Sequence, residues 1–160
     1  MNHHMTPLET IKGFYGDEPK SSDWFLVEQS MINTFGEATA DSDWMHTDPE
    51  RPKRDSPFGG TIAFGFWTVS MMTYFGRQIM KQDYPGNALY GLNYGFDRVR
   101  LMAPVLVGKR IRCHLRLLNV EERGAGKYLV KTEYTIEVEG HSDKPAMIAE
   151  WLFLLAFPVE

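Results

Sequence analysis

One apolar stretch, residues 61–80, constrains the fold more than any other part of the sequence. Its large apolar side chains recur on every side of a helical projection: Ile62, Phe64, Phe66, Trp67, Val69, Met71, Met72, Phe75 and Ile79. A helix that is apolar nearly all round must be buried nearly all round. We therefore predict a long helix at the centre of the fold, opened by Gly59-Gly60-Thr61 and with Gly65 in its first turns.

The second half of the chain has the pattern of long strands. Residues 109–120 alternate between Ile111, Cys113, Leu115 and Leu117 on one side and Arg110, Arg112, His114 and Arg116 on the other. Residues 128–139 alternate again, after a glycine-containing hairpin connection, and residues 89–101 and 146–157 form further strands. An antiparallel sheet wrapped around one long buried central helix satisfies both patterns. This α+β arrangement is the hot-dog fold.

The first half of the chain predicts shorter elements. Residues 24–27 have the pattern of a short strand, and a helix begins near Gln29. Residues 41–58 are rich in Asp, Pro and Ser, which predicts a long and partly irregular loop. We expect residues 1–20 to form a loosely ordered segment. Since 160 residues carry no repeat and no low-complexity linker, we predict a single domain over residues 1–160.

Composition excludes several classes of partner. The formal net charge of −4 argues against a nucleic-acid partner, because phosphate binding needs clustered positive charge. The longest apolar strand segment is too short to span a bilayer, so no membrane association is expected. Cys113 is the only cysteine, which excludes an intrachain disulfide and a cysteine-rich zinc cage. A reducing, cytoplasmic location fits that count.

An acid and an imidazole lie five residues apart in the predicted loop, at Asp41 and His46. Hydration of a double bond needs one proton taken from water and one given to the neighbouring carbon, and these two groups can share both transfers. Free backbone N–H groups at the start of the central helix suit a developing thioester enolate oxygen. Spacing of this kind is common by chance, so the pattern alone is a weak indication of catalysis.

Two blocks of sequence carry a resemblance to a known family. The first is Phe35-Gly36-Glu37-Ala38-Thr39-Ala40-Asp41, then Trp44-Met45-His46-Thr47-Asp48-Pro49-Glu50-Arg51, then Ser56-Pro57-Phe58-Gly59-Gly60-Thr61-Ile62-Ala63 with Gly65. The second is Asn93-Tyr94-Gly95-Phe96-Asp97-Arg98-Val99-Arg100 with Ala103-Pro104-Val105 and Gly108. These blocks resemble the MaoC-like dehydratases and R-specific enoyl-CoA hydratases, in the branch named for the nodulation protein NodN. The resemblance spans roughly residues 24–155.

The resemblance implies roles for particular residues. Asp41 and His46 match the family's catalytic aspartate and histidine, and Gly65 matches the glycine whose N–H holds the thioester oxygen. We also expect Gly60, Phe64 and Ser70 to contact substrate. The implied substrates are 2-enoyl thioesters of coenzyme A, hydrated to R-3-hydroxyacyl products by a homodimer, with the acyl-pantetheine arm entering between subunits. No cofactor and no metal are implied.

Two departures from the family pattern keep alternatives open. Asp43 stands where asparagine or glutamine is usual, and Phe64 stands where histidine is usual, directly before the helix glycine. A non-catalytic protein that binds acyl thioesters is therefore the first alternative. A hot-dog thioesterase is the second, although such enzymes generally need an acidic or amide residue on the buried helix, where only Gln78 is present.

Most of the candidate residues also have an ordinary structural interpretation. Asp41 and Asp43 can cap helices or turns, and Asp48-Pro49 is a turn signal. Ser70 can bond back to its own helix. The row of Arg110, Arg112 and Arg116 can pair across strands with the polar face that carries Glu133, Glu137 and Glu139.

Overall fold

The computed structural model describes residues 5–141 and 143–159. Helices and short strands come first, and long strands follow the longest helix. In chain order the elements are α1 (Pro7–Tyr15), β1 (Lys20–Ser21), β2 (Phe25–Leu26), α2 (Gln29–Thr39), α3 (Trp44–Thr47), α4 (Arg51–Asp55), α5 (Gly65–Met80), β3 (Tyr90–Leu101), β4 (Arg110–Gly124), β5 (Lys127–Val138) and β6 (Met147–Ala156).

The strands form one antiparallel sheet in the order β1-β4-β5-β6-β3, with β2 also paired to β4. Alternate residues of β4 and β5 point inward, as their sequence pattern predicts, and form a common core with Trp67, Met72 and Phe75 of α5. The predicted α+β architecture, a sheet wrapped around one central helix, is confirmed.

The central helix begins later than predicted. α5 starts at Gly65, so Gly60 and Thr61 lie before the helix. Residues 61–63 are extended because they pair with the segment after β3: Ala63 N–H donates to Val105, and Val107 N–H donates to Thr61. The helix is also less enclosed than its composition suggests, since the side chain of Phe66 is 79% exposed. The prediction of burial all round is wrong for this face.

Residues 7–15 are more ordered than expected, because they form helix α1. Thr6 and Glu9 make a reciprocal capping box: each side chain accepts a hydrogen bond from the other's backbone N–H. Ile11 and Tyr15 are buried in the core. The expectation of a loosely ordered segment is therefore wrong for this helix, whereas residues 1–4 lie outside the described part of the chain.

Cross-strand ion pairs cover the outer face of β4 and β5, as the structural interpretation of the arginine row anticipated. Arg110, Arg112 and Arg116 pair with Glu139, Glu137 and Glu133, respectively. The Arg112 hydrogen bond, with a further one from His114, lowers the pKa of the Glu137 carboxyl. These arginines are therefore engaged in holding the sheet together.

In the part of the chain described here, no helix has the length and apolar character needed to cross a bilayer.

Candidate active site

The imidazole of His46 is held in one orientation and one tautomer. His46 lies in the short helix α3, whose N-terminus is capped by Asp43: its carboxylate accepts the N–H of Met45 at 2.8 Å. The Nδ1 atom of His46 lies 2.7 Å from the carbonyl oxygen of Ile62. A carbonyl only accepts, so Nδ1 carries the proton in the neutral ring and Nε2 keeps a lone pair. The neutral ring is thus ready to act as a base through Nε2.

Further hydrogen bonds hold the segment that carries His46. Gln29, at the start of α2, donates from Nε2 to the carbonyl of His46 at 2.7 Å and accepts from the Thr61 hydroxyl. The Ile62 N–H donates to the carbonyl of Met45 at 3.2 Å. These bonds join α2, α3 and the extended residues before α5. The contacts of Gln29 and Thr61 were not predicted, because the bonded residues are separated by up to 32 positions along the chain.

His46 and Gly65 line the same cavity, which has a volume of about 270 Å³. The wall is otherwise largely apolar and comes from both halves of the chain; its further lining residues are Ile62, Ala63, Thr68, Leu101, Met102, Ala103, Pro104, Val105 and Ala146. Gly65 is the first residue of α5, so its N–H has no acceptor one turn back within the helix. A Cβ at Gly65 would lie 2.4 Å from Cδ1 of Leu101. The cavity therefore combines a base, a helix N-terminus and an apolar wall.

A wider groove of about 440 Å³ lies elsewhere, between α2 and Trp67. It is more open, and none of the residues predicted for catalysis or substrate contact line it. The smaller cavity is the candidate site, because it brings an ionisable side chain and a helix N-terminus together. The larger volume of the groove does not by itself indicate a catalytic site.

Asp41 lies at the end of α2, where the chain turns into the site loop. Ala40 adopts a left-handed conformation (φ 56°), and the Asp41 N–H then bonds to the carbonyl of Gly36 at 2.9 Å. One carboxylate oxygen of Asp41 accepts the N–H of Asp43 at 3.1 Å. Asp41 is exposed and is not among the cavity-lining residues in the described chain. Its sharing of one water molecule with His46 stays a prediction.

The three predicted substrate contacts lie near the cavity without lining it, as far as the described residues go. Ser70 donates to the carbonyl of Phe66 at 2.8 Å, which is the back-bonded arrangement considered from the sequence. Phe64 is buried at the start of α5, and Gly60 lies in a bend before the extended residues 61–63. Thr68 does line the cavity and was missed, although its position one helical turn after Gly65 could have indicated it.

The remaining carboxylates of the loop have structural partners. Asp43 caps α3, as the ordinary interpretation held. Asp48 accepts the N–H groups of Glu50 and Arg51, and these two hydrogen bonds lower the pKa of the Asp48 carboxyl. The Arg51 guanidinium lies over the Trp44 ring, 4.2 Å from its centroid, which joins α4 to α3. The loop is therefore more regular than its composition suggested, with two short helices inside it.

Comparison with known proteins places this site in a family. The model of the MaoC like domain matches residues 11–139, which include the whole site loop, α5 and strands β3 and β4. The chain belongs to the MaoC-like family. The resemblance of the two sequence blocks is thereby confirmed.

Individual relatives extend the comparison. The chain is 38% identical over 157 residues to nodulation protein N of Rhizobium leguminosarum bv. viciae, covering 96% of this chain and 94% of the relative. It is 40% identical over 135 residues to 3-hydroxyacyl-thioester dehydratase Z of Mycobacterium tuberculosis (strain H37Rv), covering 84% and 86%. The solved (R)-hydratase from A. caviae, involved in PHA biosynthesis, superposes with a TM-score of 0.68 at 15% identity and covers 88% of this chain and 95% of that one. At 15% identity, the superposition shows that the two proteins share a fold and nothing more.

Proposed function

We propose that this chain is a hydro-lyase that interconverts 2-enoyl and 3-hydroxyacyl thioesters, with coenzyme A as the acyl carrier. One observation carries the proposal: the His46 ring, whose Nδ1 atom is bonded to the Ile62 carbonyl, lines the same cavity as the N-terminus of α5 at Gly65. The names of a relative, a 3-hydroxyacyl-thioester dehydratase, and of a structural neighbour, an (R)-hydratase, support the choice of reaction and the R configuration of the product.

The proposed chemistry divides two proton transfers between His46 and Asp41. In the hydration direction, one of them takes a proton from water as its oxygen adds to C3, and the other gives a proton to C2. Negative charge develops on the thioester oxygen between these events, and the Gly65 N–H is placed to stabilise it at the helix N-terminus. The apolar wall formed by residues 101–105 lies beside the reacting carbons, and covering it by a second copy of the chain would exclude bulk water from them.

A thioesterase is less well supported. The only acidic or amide side chain on α5 is that of Gln78, near the C-terminal end of the helix. Its Oε1 atom accepts the N–H of Asp23 at 3.1 Å, so it has a structural partner far along the helix from Gly65. Binding of an acyl thioester without turnover is the second candidate, and it is favoured by the position of Asp41 outside the set of cavity-lining residues.

The proposed assembly is a homodimer that uses the edge of β3. No described strand pairs with the outer edge of β3, and this strand exposes Tyr90, Leu92, Tyr94 and Phe96. An unpaired strand edge that exposes large apolar side chains is typical of a protein–protein interface. The residues that line the cavity at the end of this strand, Leu101 and Met102, are exposed as well. A second copy would therefore cover both the edge and the mouth of the site.

The direct test is turnover of crotonyl-CoA by the purified protein, followed as loss of the absorbance of the conjugated thioester. The proposal predicts hydration to R-3-hydroxybutyryl-CoA, identified by chiral analysis, with no release of free thiol. Thiol release without a 3-hydroxyacyl product would favour the thioesterase instead. Saturable binding of crotonyl-CoA with neither product would favour the non-catalytic candidate.

A further inference from the structure

Phe64 packs closely against the ring of His46. Its ring centroid lies 4.0 Å from that of His46, with an interplanar angle of 32°, so the two rings overlap face to face with a tilt. Phe64 is only 4% exposed, and Phe35 also packs against it with a centroid distance of 5.3 Å. Phe64 therefore contacts two rings, and only one of them belongs to a residue predicted for catalysis.

The position of Phe64 in the chain makes this side chain unusual. It is the N-cap residue of α5, where Ser, Thr, Asp or Asn would satisfy a free helix N–H. Phenylalanine makes no such cap, and the N-terminus of α5 has no side-chain hydrogen bond from its N-cap residue. With an aromatic ring at this position, the helix has no side-chain cap, and the ring instead packs against His46 and Phe35.

Two restraints on the imidazole come from different directions. The hydrogen bond from Nδ1 to the Ile62 carbonyl holds one edge of the His46 ring at 2.7 Å. A single hydrogen bond still permits the ring to tilt about the donor–acceptor axis. The face-to-face contact with Phe64 removes that freedom. Together they fix the direction in which Nε2 points.

We propose that Phe64 is a positioning residue that acts through the His46 imidazole and does not contact substrate. This inference rests on the hydro-lyase function proposed above and replaces the role of substrate contact expected for Phe64 from the sequence. Its basis is that Phe64 packs directly on His46 while, among the described residues, it is absent from the cavity lining. Loss of the ring contact then misaligns Nε2 without changing the surface that binds the thioester.

The test compares three variants by steady-state kinetics with crotonyl-CoA. Phe64→Leu removes the flat ring, and we expect kcat to fall by about 10- to 100-fold with little change in KM, because small misplacements of a catalytic group are costly. Phe64→His restores a flat ring and should recover most of kcat. Phe35→Leu is the control, since it alters the same cluster without touching the His46 ring.

A second readout is independent of turnover. In a protein labelled with ¹³C and ¹⁵N histidine, the ring protons of His46, assigned by their loss in His46→Gln, should show an upfield shift from the Phe64 ring current. This shift should disappear in Phe64→Leu and persist in Phe35→Leu. If Phe64→Leu fails to fold, Phe64→Met takes its place in both measurements.

The outcomes separate this inference from the proposed function. Unchanged His46 signals and unchanged kcat in Phe64→Leu would overturn the positioning role, as would a rise in KM with kcat unaltered, which is the signature of a substrate contact. If the unsubstituted protein shows no hydration at all, the proposed function fails. The ring-current shift then still tests whether the Phe64 ring lies against His46, and its absence would overturn the positioning role.

Discussion

His46 illustrates how several weak contacts can prepare one side chain for chemistry. Its Nδ1 atom donates a hydrogen bond to the Ile62 carbonyl, and one face of its ring packs against Phe64. Its backbone carbonyl accepts a hydrogen bond from Gln29. Each of these interactions is worth about 1 kcal/mol or less in stability. Their joint effect is orientational, because together they leave Nε2 as the one ring nitrogen free for substrate chemistry.

Asp41→Asn tests the other half of the proposed acid–base pair. Asparagine retains an oxygen that can accept the Asp43 N–H, so the turn after α2 should survive. Proton transfer is lost, and we expect kcat for crotonyl-CoA hydration to fall by about 10²- to 10⁴-fold. The measurement pairs initial rates with urea unfolding, and Asp17→Asn, at an exposed position outside the site, is the control. A rate within twofold of the control would remove Asp41 from the mechanism.

Individual residues were predictable to different degrees. The family resemblance predicted Asp41, His46 and Gly65, while their spacing alone was a weak guide; His46 and Gly65 line one cavity, and the role of Asp41 stays a prediction. Thr68 could have been predicted from its place one turn after Gly65. Gln29 and the wall formed by residues 101–105 could not, because their relation to His46 depends on how distant segments pair. Local pattern carries no information about such pairings.

At the scale of elements, the end of α2 controls where the site loop begins. Gly36 lies in the last turn of α2, where a Cβ would come within 2.7 Å of the backbone oxygen of Asp41 and 3.3 Å of the Thr47 side chain. The loop carrying Asp41 and His46 therefore folds back directly onto this glycine. Ala40 then reverses the chain in a left-handed conformation, which costs a non-glycine residue about 1–2 kcal/mol.

Gly36→Ala should consequently damage the loop. The atom in the way is backbone rather than the end of a flexible side chain, so we expect a loss of about 1–3 kcal/mol in the free energy of unfolding and a marked loss of activity. Gly13→Ala, in helix α1, is the matched control: its Cβ would meet nothing closer than 3.9 Å. There we expect a gain of about 0.5–1 kcal/mol. Equal effects of the two substitutions in urea unfolding would refute the close approach at Gly36.

The start of α5 shows why element boundaries were harder to predict than elements. An apolar run is compatible with helix from residue 61 onward, and composition alone does not distinguish the extended residues from the helical ones. The boundary at Gly65 arises because residues 61–63 pair with residues 105–107, which lie more than forty positions away. The same pairing places the Ile62 carbonyl against His46. The mislocated boundary and the missed contact therefore have one cause.

For the whole molecule, alternating patterns in β4 and β5 predicted the sheet because each strand has one face on the core and one in solvent. The exposed apolar face of α5 at Phe66 and the exposed edge of β3 did not follow from those patterns. Both are explained if a second copy of the chain covers them. The sequence predicted a dimer only through the family resemblance.

The dimer proposal can be tested at the edge of β3. Leu92 and Tyr94 are both more than half exposed, so replacing them together by glutamate should leave the monomer folded. Burying two carboxylates at an apolar interface is unfavourable, and the double variant should run as a monomer in analytical ultracentrifugation at micromolar concentration. Leu118→Glu, at a similarly apolar but different surface position on β4, should not change the mass. A double variant with the same sedimentation as the unsubstituted protein would place the interface elsewhere.

The central claim is that His46, through Nε2, performs one of the two proton transfers of hydration in this cavity. Its most direct test compares His46→Gln with His114→Gln in crotonyl-CoA hydration. His114 is the matched histidine: its ring is likewise held by hydrogen bonds, in this case to Ser21 and Glu137, but it lies on the outer face of the sheet. We expect His46→Gln to lower kcat by about 10²- to 10⁴-fold and His114→Gln to retain it. Hydration by His46→Gln at the rate of His114→Gln would contradict the account.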